Sequence, residues 1–189
     1  MFDIDRFIAD CQAALKESGP ELAVKEIVTE AMSEPSEVEA ALGTPRQGEI
    51  IPLHQSADLT ILNVIWTPCM SIYPHDHRMW AVIGLYGGQE DNTFYRRSAS
   101  RLAVAGKKEL RASDAVVLGS SVIHAVSNPL KRLTGAIHVY GGAFFSTPRS
   151  EWDPDTLEEH PFDVEKAKRV FAEANERWRA ESSAAARPA

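Results

Sequence analysis

The spacing of apolar residues changes twice along the chain. Up to residue 34 it is helical: Ile4, Phe7, Ile8, Cys11 and Leu15 form one stripe, and Ile27, Val28 and Ala31 a second. Gly19-Pro20 separates the two, because Pro20 suits the first turn of a helix and cannot continue one. Pro35 closes the segment, and Ser36–Leu42 reads as a short further turn of helix.

Between residues 48 and 146 the runs become short or alternating: Ile50–Leu53, Leu59–Trp66, Trp80–Tyr86, Thr93–Arg96, Leu102–Val104, Ala115–Leu118, Val122–Val126 and Gly135–Tyr140. Turn signals fall between them at Gly87-Gly88, Gly106, Gly119-Ser120 and Asn128-Pro129. Many short strands at this pitch predict a mainly β protein, a sandwich or jelly-roll barrel. The helical spacing then returns. Asp163 predicts an N-cap, with Val164, Ala167, Val170, Phe171, Ala174 and Trp178 on one side of a last helix. The expected organisation is one domain over residues 1–181: a helical part (1–45), a barrel (46–147), and a C-terminal segment with its helix (148–181). Residues 182–189 are Ala- and Ser-rich and are expected to form a disordered tail.

Composition narrows the function. A chain of 189 residues that is 44% hydrophobic can bury a substantial core. Its formal charge of −7, with Lys and Arg scattered, disfavours nucleic acid as a partner. The two cysteines, Cys11 and Cys69, lie far apart and outside any metal or disulfide pattern. No apolar run approaches the ~20 residues of a membrane span. Asp3 and Asp5 stand where a secretory leader would be positive, so the cytoplasm is the expected compartment and no membrane partner is expected.

The chemistry is concentrated in histidines. In Pro74-His75-Asp76-His77 the two imidazoles would share a strand face, where two neutral nitrogens can grip a divalent first-row metal. Alone, such a pair is a weak signal. A second segment, Gly119 to Asn128, places a third histidine, His124, on a strand after a glycine turn. Together the two segments resemble the paired motifs of the cupins, which implies a double-stranded β-helix holding one metal on His75, His77 and His124. The competing reading is unrelated histidines in an ordinary barrel. Many cupins add a glutamate ligand about four residues after the second histidine; here those positions are Ala81 and Val82. Glu90 lies beyond the Gly87-Gly88 turn and reads as a supporting or turn residue.

Three histidines without a carboxylate, two helices ahead of the barrel and the late pair His138-Val139-Tyr140 resemble the cysteine dioxygenase family. Trp66, nine positions before His75, matches a tryptophan of that family, and Tyr140-Gly141-Gly142 followed by Arg149 looks like its bacterial, mercapto-acid members. The resemblance implies iron(II) as cofactor, and dioxygen and a small thiol such as 3-mercaptopropionate as partners. It also implies Tyr140 as hydrogen-bond donor to the reacting group, His138 orienting the phenol, and Arg149 binding the substrate carboxylate. Arg96 is the rival for that last role.

The chain departs from the family in three places. Ala136 stands where the family often has serine, which shortens a Ser-His-Tyr chain. Val82 replaces the cysteine of a Cys–Tyr crosslink, and no arginine stands near Ile51 to select cysteine. Cys69 is expected to be a buried, inert thiol, and His54 and His160 to be structural or exposed. Other readings stay open: a three-histidine dioxygenase of β-dicarbonyls, a zinc hydrolase or lyase, or a metal-dependent binding protein without catalysis. Three imidazoles would also accept nickel, manganese or zinc.

Overall fold

In the computed structural model, which describes residues 1–98 and 102–185, the helical stripes come first as α1 (Ile4–Ala14), α2 (Pro20–Met32) and α3 (Pro35–Leu42). Asp3 caps α1, its Oδ1 accepting the Arg6 N–H at 3.0 Å. Pro20 and Pro35 each sit in a first turn, where a missing N–H leaves no bond unmade. Pro35 therefore starts α3 as well as ending α2.

The strands follow: β1 (Glu49–Gln55), β2 (Thr60–Trp66), β3 (Ser71–Asp76), β4 (Ala81–Gly87), β5 (Gln89–Arg97) and β6 (Leu102–Arg111). Then come β7 (Ala115–Leu118), β8 (Ile123–Ser127), β9 (Thr134–Tyr140), β10 (Ser150–Trp152), β11 (Glu159–Pro161) and the helix α4 (Val164–Ala185). They form a 5-stranded sheet in the order β1-β2-β9-β4-β7 and a 6-stranded sheet in the order β11-β10-β3-β8-β5-β6. From β2 to β5, and again from β6 to β9, the chain steps from one sheet to the other. This is the double-stranded β-helix of the cupin fold.

The three inner strands of the 5-stranded sheet, β2, β9 and β4, are buried on both faces. Leu62, Val64, Ile83, Leu85 and Ala136 point into the barrel, while Ile61, Val82, Ile137 and Val139 point out against Val24, Val28 and Met32 of α2. Both faces being covered explains why these strands read as unbroken apolar runs. Each fully buried aliphatic contributes about 1.5–3 kcal/mol. Helix α2 reaches the sheet at Gly84, where a Cβ would lie 2.4 Å from Cγ1 of Val28 and 2.8 Å from Cγ of Met32.

Two expectations change. Gly106 does not turn the chain: it lies inside β6, at a bulge in the long β5–β6 hairpin that follows Gly106↔Phe94 with Val104↔Tyr95. The last helix is longer than its tail suggests, running through Ser182 to Ala185, as alanine's helix propensity allows, while 186–189 lie outside the described residues.

Asp163 caps α4 as expected, its Oδ1 accepting the N–H groups of Glu165 at 2.9 Å and Lys166 at 3.1 Å. Asn175 fastens the helix to the barrel, its Oδ1 accepting the Gly48 N–H at 2.7 Å and its Nδ2 donating to the Gly48 carbonyl at 2.8 Å. Phe171 stacks on Trp66, ring centroids 5.5 Å apart, and so closes the barrel over its interior. No helix among the described residues is long and apolar enough to cross a membrane.

Candidate metal centre

Strand β3 carries the first two histidines by an irregular route. Its pairing with β8 slips between Ile72↔Val126 and His75↔His124, so three steps on β3 oppose two on β8. Pro74, which has no N–H to give a ladder, falls within that bulge. The slip sets His75 directly across from His124, ring centroids 4.7 Å apart. His77 lies one residue past the end of β3, just before Arg78 turns the chain with φ at 58°. The pair expected on one strand thus straddles a strand end, and both rings still face inward.

His75, His77 and His124 are all buried, and their ligand atoms lie within 4.8 Å of one another. The Nε2 of His77 is 3.2 Å from that of His75 and 3.3 Å from that of His124. Two nitrogens bound to one first-row ion at about 2.0–2.1 Å, near right angles, stand about 3 Å apart. Two of the other ring nitrogens are committed. Nδ1 of His75 donates to the Tyr73 carbonyl at 3.0 Å, and Nδ1 of His124 donates to Oδ1 of Asn92 at 2.7 Å. Both rings therefore present bare Nε2 lone pairs to the centre, where a cation can receive them.

Electrostatics point the same way. Burial pulls the pKa of His75 down to about 4. Burial also holds His77 and His124 well below the usual imidazole range, and their neighbouring rings add to it. Neutral, buried, convergent nitrogens are the donor set of a divalent transition metal. Asp76, between the two β3 histidines in sequence, turns away: Oδ1 accepts the Ser150 N–H at 2.8 Å and Oδ2 pairs with Nε of Arg78 at 2.5 Å. Among the described residues no carboxylate joins the cluster.

A second group lies behind these rings. Glu90 is fully buried on β5, its Oε2 accepting the Trp66 indole N–H at 2.9 Å and its Oε1 the Asn92 amide at 3.0 Å. Nε2 of His138 faces Oε2 of Glu90 at 3.5 Å, and Nδ1 of His138 is 3.0 Å from the Tyr140 hydroxyl. Burial pushes the Glu90 carboxyl up, but His138 and the Asn92 and Trp66 donors outweigh it and hold the pKa below the ordinary carboxylate value. Glu90 thus anchors one line through Asn92 to His124 and faces a second, His138 with Tyr140, at 3.5 Å without a hydrogen bond. Asn92 had no place in the sequence reading, and Glu90 only a supporting one.

His75, His77, His124, His138, Tyr140 and Arg149 line one cavity. The Arg149 guanidinium lies 4.1 Å from the ring centroids of both Phe144 and Phe162, and one of its terminal nitrogens donates to the Phe144 carbonyl. Arg96 is exposed and does not line this cavity, which removes it as Arg149's rival. Cys69 is exposed rather than buried, in a left-handed conformation with φ at 55° between β2 and β3. His54 stands 3.4 Å from the Gln12 amide, and His160 is exposed on β11.

No family model matches the sequence. A Bacillus halodurans structure is 14% identical, with 56% of this chain and 77% of that one covered and a TM-score of 0.48. A Methanocaldococcus jannaschii RmlC-like cupin with a double-stranded β-helix fold is 9% identical over 53% of this chain and 84% of its own, at 0.45. A Klebsiella pneumoniae protein with a double-stranded β-helix domain is 14% identical over 65% and 86%, at 0.44. Nothing about the chemistry of the present centre follows from these three.

Proposed function

We propose that the protein is a non-haem iron(II) thiol dioxygenase that converts a mercapto acid of the 3-mercaptopropionate type to its sulfinate. The observation that carries this reading is the meeting of three neutral imidazoles, a Tyr140–His138 pair and the Arg149 cation in one cavity. An iron(II) ion held by His75, His77 and His124 would supply open positions for thiolate and dioxygen and the oxidation that places both oxygen atoms on sulfur.

The chain's own groups then hold the substrate and its protons. Arg149, fixed between two phenyl rings, offers its guanidinium to the substrate carboxylate. The Glu90 carboxylate favours the His138 tautomer that carries its proton on Nε2, so Nδ1 accepts the Tyr140 O–H. The phenol oxygen is left with lone pairs toward the cavity. Its proton becomes available to the reacting group only when His138 is protonated on both nitrogens, which makes Glu90 the residue that sets Tyr140's role. Burial raises the Tyr140 pKa, so the phenol stays protonated near neutral pH.

Oxygen uptake by the iron(II)-loaded protein, measured against small thiols and β-diketones, tests this reading. Consumption of one dioxygen per thiol with sulfinate as product is expected, and Tyr140→Phe should lower the rate by about a hundredfold at unchanged iron content. Turnover of a diketone with no uptake on any thiol would overturn it.

A further inference from the structure

The cavity over the three imidazoles has a volume of about 430 Å³. Cavities above about 300 Å³ are of the size that holds drug-like ligands, far more than a three-carbon acid fills. Away from the histidines its wall is hydrocarbon: Leu62, Val64 and Ile72 of the barrel face Ala167 and Phe171 of α4. Glu49 of β1 also lines that end, and the Asn175 and Lys168 side chains there are already engaged. The Asn175 amide is spent on Gly48 and Thr67, and Lys168 pairs with Glu165 at 2.8 Å.

Arg149 is the exception. Its Nε is buried without a hydrogen-bond partner, and among the described residues no carboxylate lies within ion-pair distance of it. Burial lowers its pKa, yet a guanidinium stays charged at neutral pH. A half-buried cation without a counter-ion gains from a bound anion that completes it. The rings that clamp it lead to the metal centre, Phe162 lying 6.0 Å from His75 and Phe144 6.1 Å from His77.

We propose that the cavity takes an amphipathic mercapto acid, with its carboxylate on Arg149, its sulfur toward the imidazoles, and an aliphatic or aryl tail of about six or more carbons against α4. This deepens the thiol-dioxygenase reading and rests on it for the reaction, while the binding it describes is independent of turnover. Each buried methylene adds about fourfold in affinity, so even a partly buried tail is visible in a chain-length series.

The test is calorimetric titration of the purified protein with propionate, octanoate, 3-phenylpropionate and 1-octanol, none of which can be oxidised at sulfur. Octanoate and 3-phenylpropionate should bind at least tenfold tighter than propionate, and 1-octanol at least tenfold weaker than octanoate. Ala167→Phe, which fills the tail end, should cost octanoate tenfold and leave propionate unchanged; the wild-type series decides the matter if that variant does not fold. Equal affinity for propionate and octanoate, octanol binding as well as octanoate, or no binding at all would each overturn the proposal. Loss of octanoate binding on chelation would place the carboxylate on the metal and overturn the role of Arg149. No oxygen uptake on any thiol by the iron(II)-loaded protein, with the chain-length preference intact, would sink the oxidation reading and leave this one standing.

Discussion

Two of the three imidazoles are held from behind by hydrogen bonds, whereas around α4 the cavity wall is largely hydrocarbon. His75 leans on the Tyr73 carbonyl and His124 on Asn92, which itself leans on Glu90. Phe171 and Ala167 lean on nothing directional; they are placed by contact with Trp66 and their neighbours in the core. Directional bonds fix ring orientation, so changes at the first end should cost ligand binding more than folding. Contact area fixes the second, so changes there should cost folding and fit while sparing the metal.

The largest expected break is His124→Ala. Losing one of three nitrogen donors should weaken iron binding by about a thousandfold, seen as loss of metal from the purified protein with the circular dichroism of the barrel retained. Next is Phe171→Ala, expected to lower stability to urea by about 3 kcal/mol, the low end for a buried phenylalanine because one side of it borders the cavity. Its iron content should equal that of the wild type, which separates the two ends directly.

Smallest is Glu90→Gln, worth about 1–2 kcal/mol at neutral pH through weakened interactions with Trp66, Asn92 and His138. The sign of its pH dependence follows from a folded-state pKa held below the ordinary value. The carboxylate stabilises the fold above about pH 4.5, and that contribution is lost as pH falls toward the lowered pKa. Denaturation midpoints should therefore fall more steeply for wild type than for the variant between about pH 5 and pH 3. Parallel slopes would mean that Glu90 is not held ionised by its neighbours.

Much of this could be read from the chain, for physical reasons. The three histidines stand out because two short segments each carry a recognisable pattern, and Asp163 because a cap followed by an apolar stripe has few other meanings. Glu90 and Asn92 were harder. They lie in the run Gln89-Glu90-Asp91-Asn92, polar on both faces, and strand alternation shows in sequence only when one face is apolar. The burial of Glu90 is visible only once Trp66 of β2 and His138 of β9, on the facing sheet, cover it.

Strands β10 and β11 are three residues each and too short to carry a period. Arg96, the rival to Arg149, is exposed because the end of β5 runs past Tyr95↔Ile123, the last of its pairs with β8. Cys69 is exposed although free cysteine is commonly buried, because a left-handed turn swings the thiol outward.

The central claim is that three imidazoles hold one ion, and anomalous diffraction at the iron edge from crystals grown with iron(II) tests it most directly. A single peak about 2.1 Å from Nε2 of each of His75, His77 and His124 is the predicted result. A difference map with no peak there at full iron supply, or with the three rings turned apart, would contradict it.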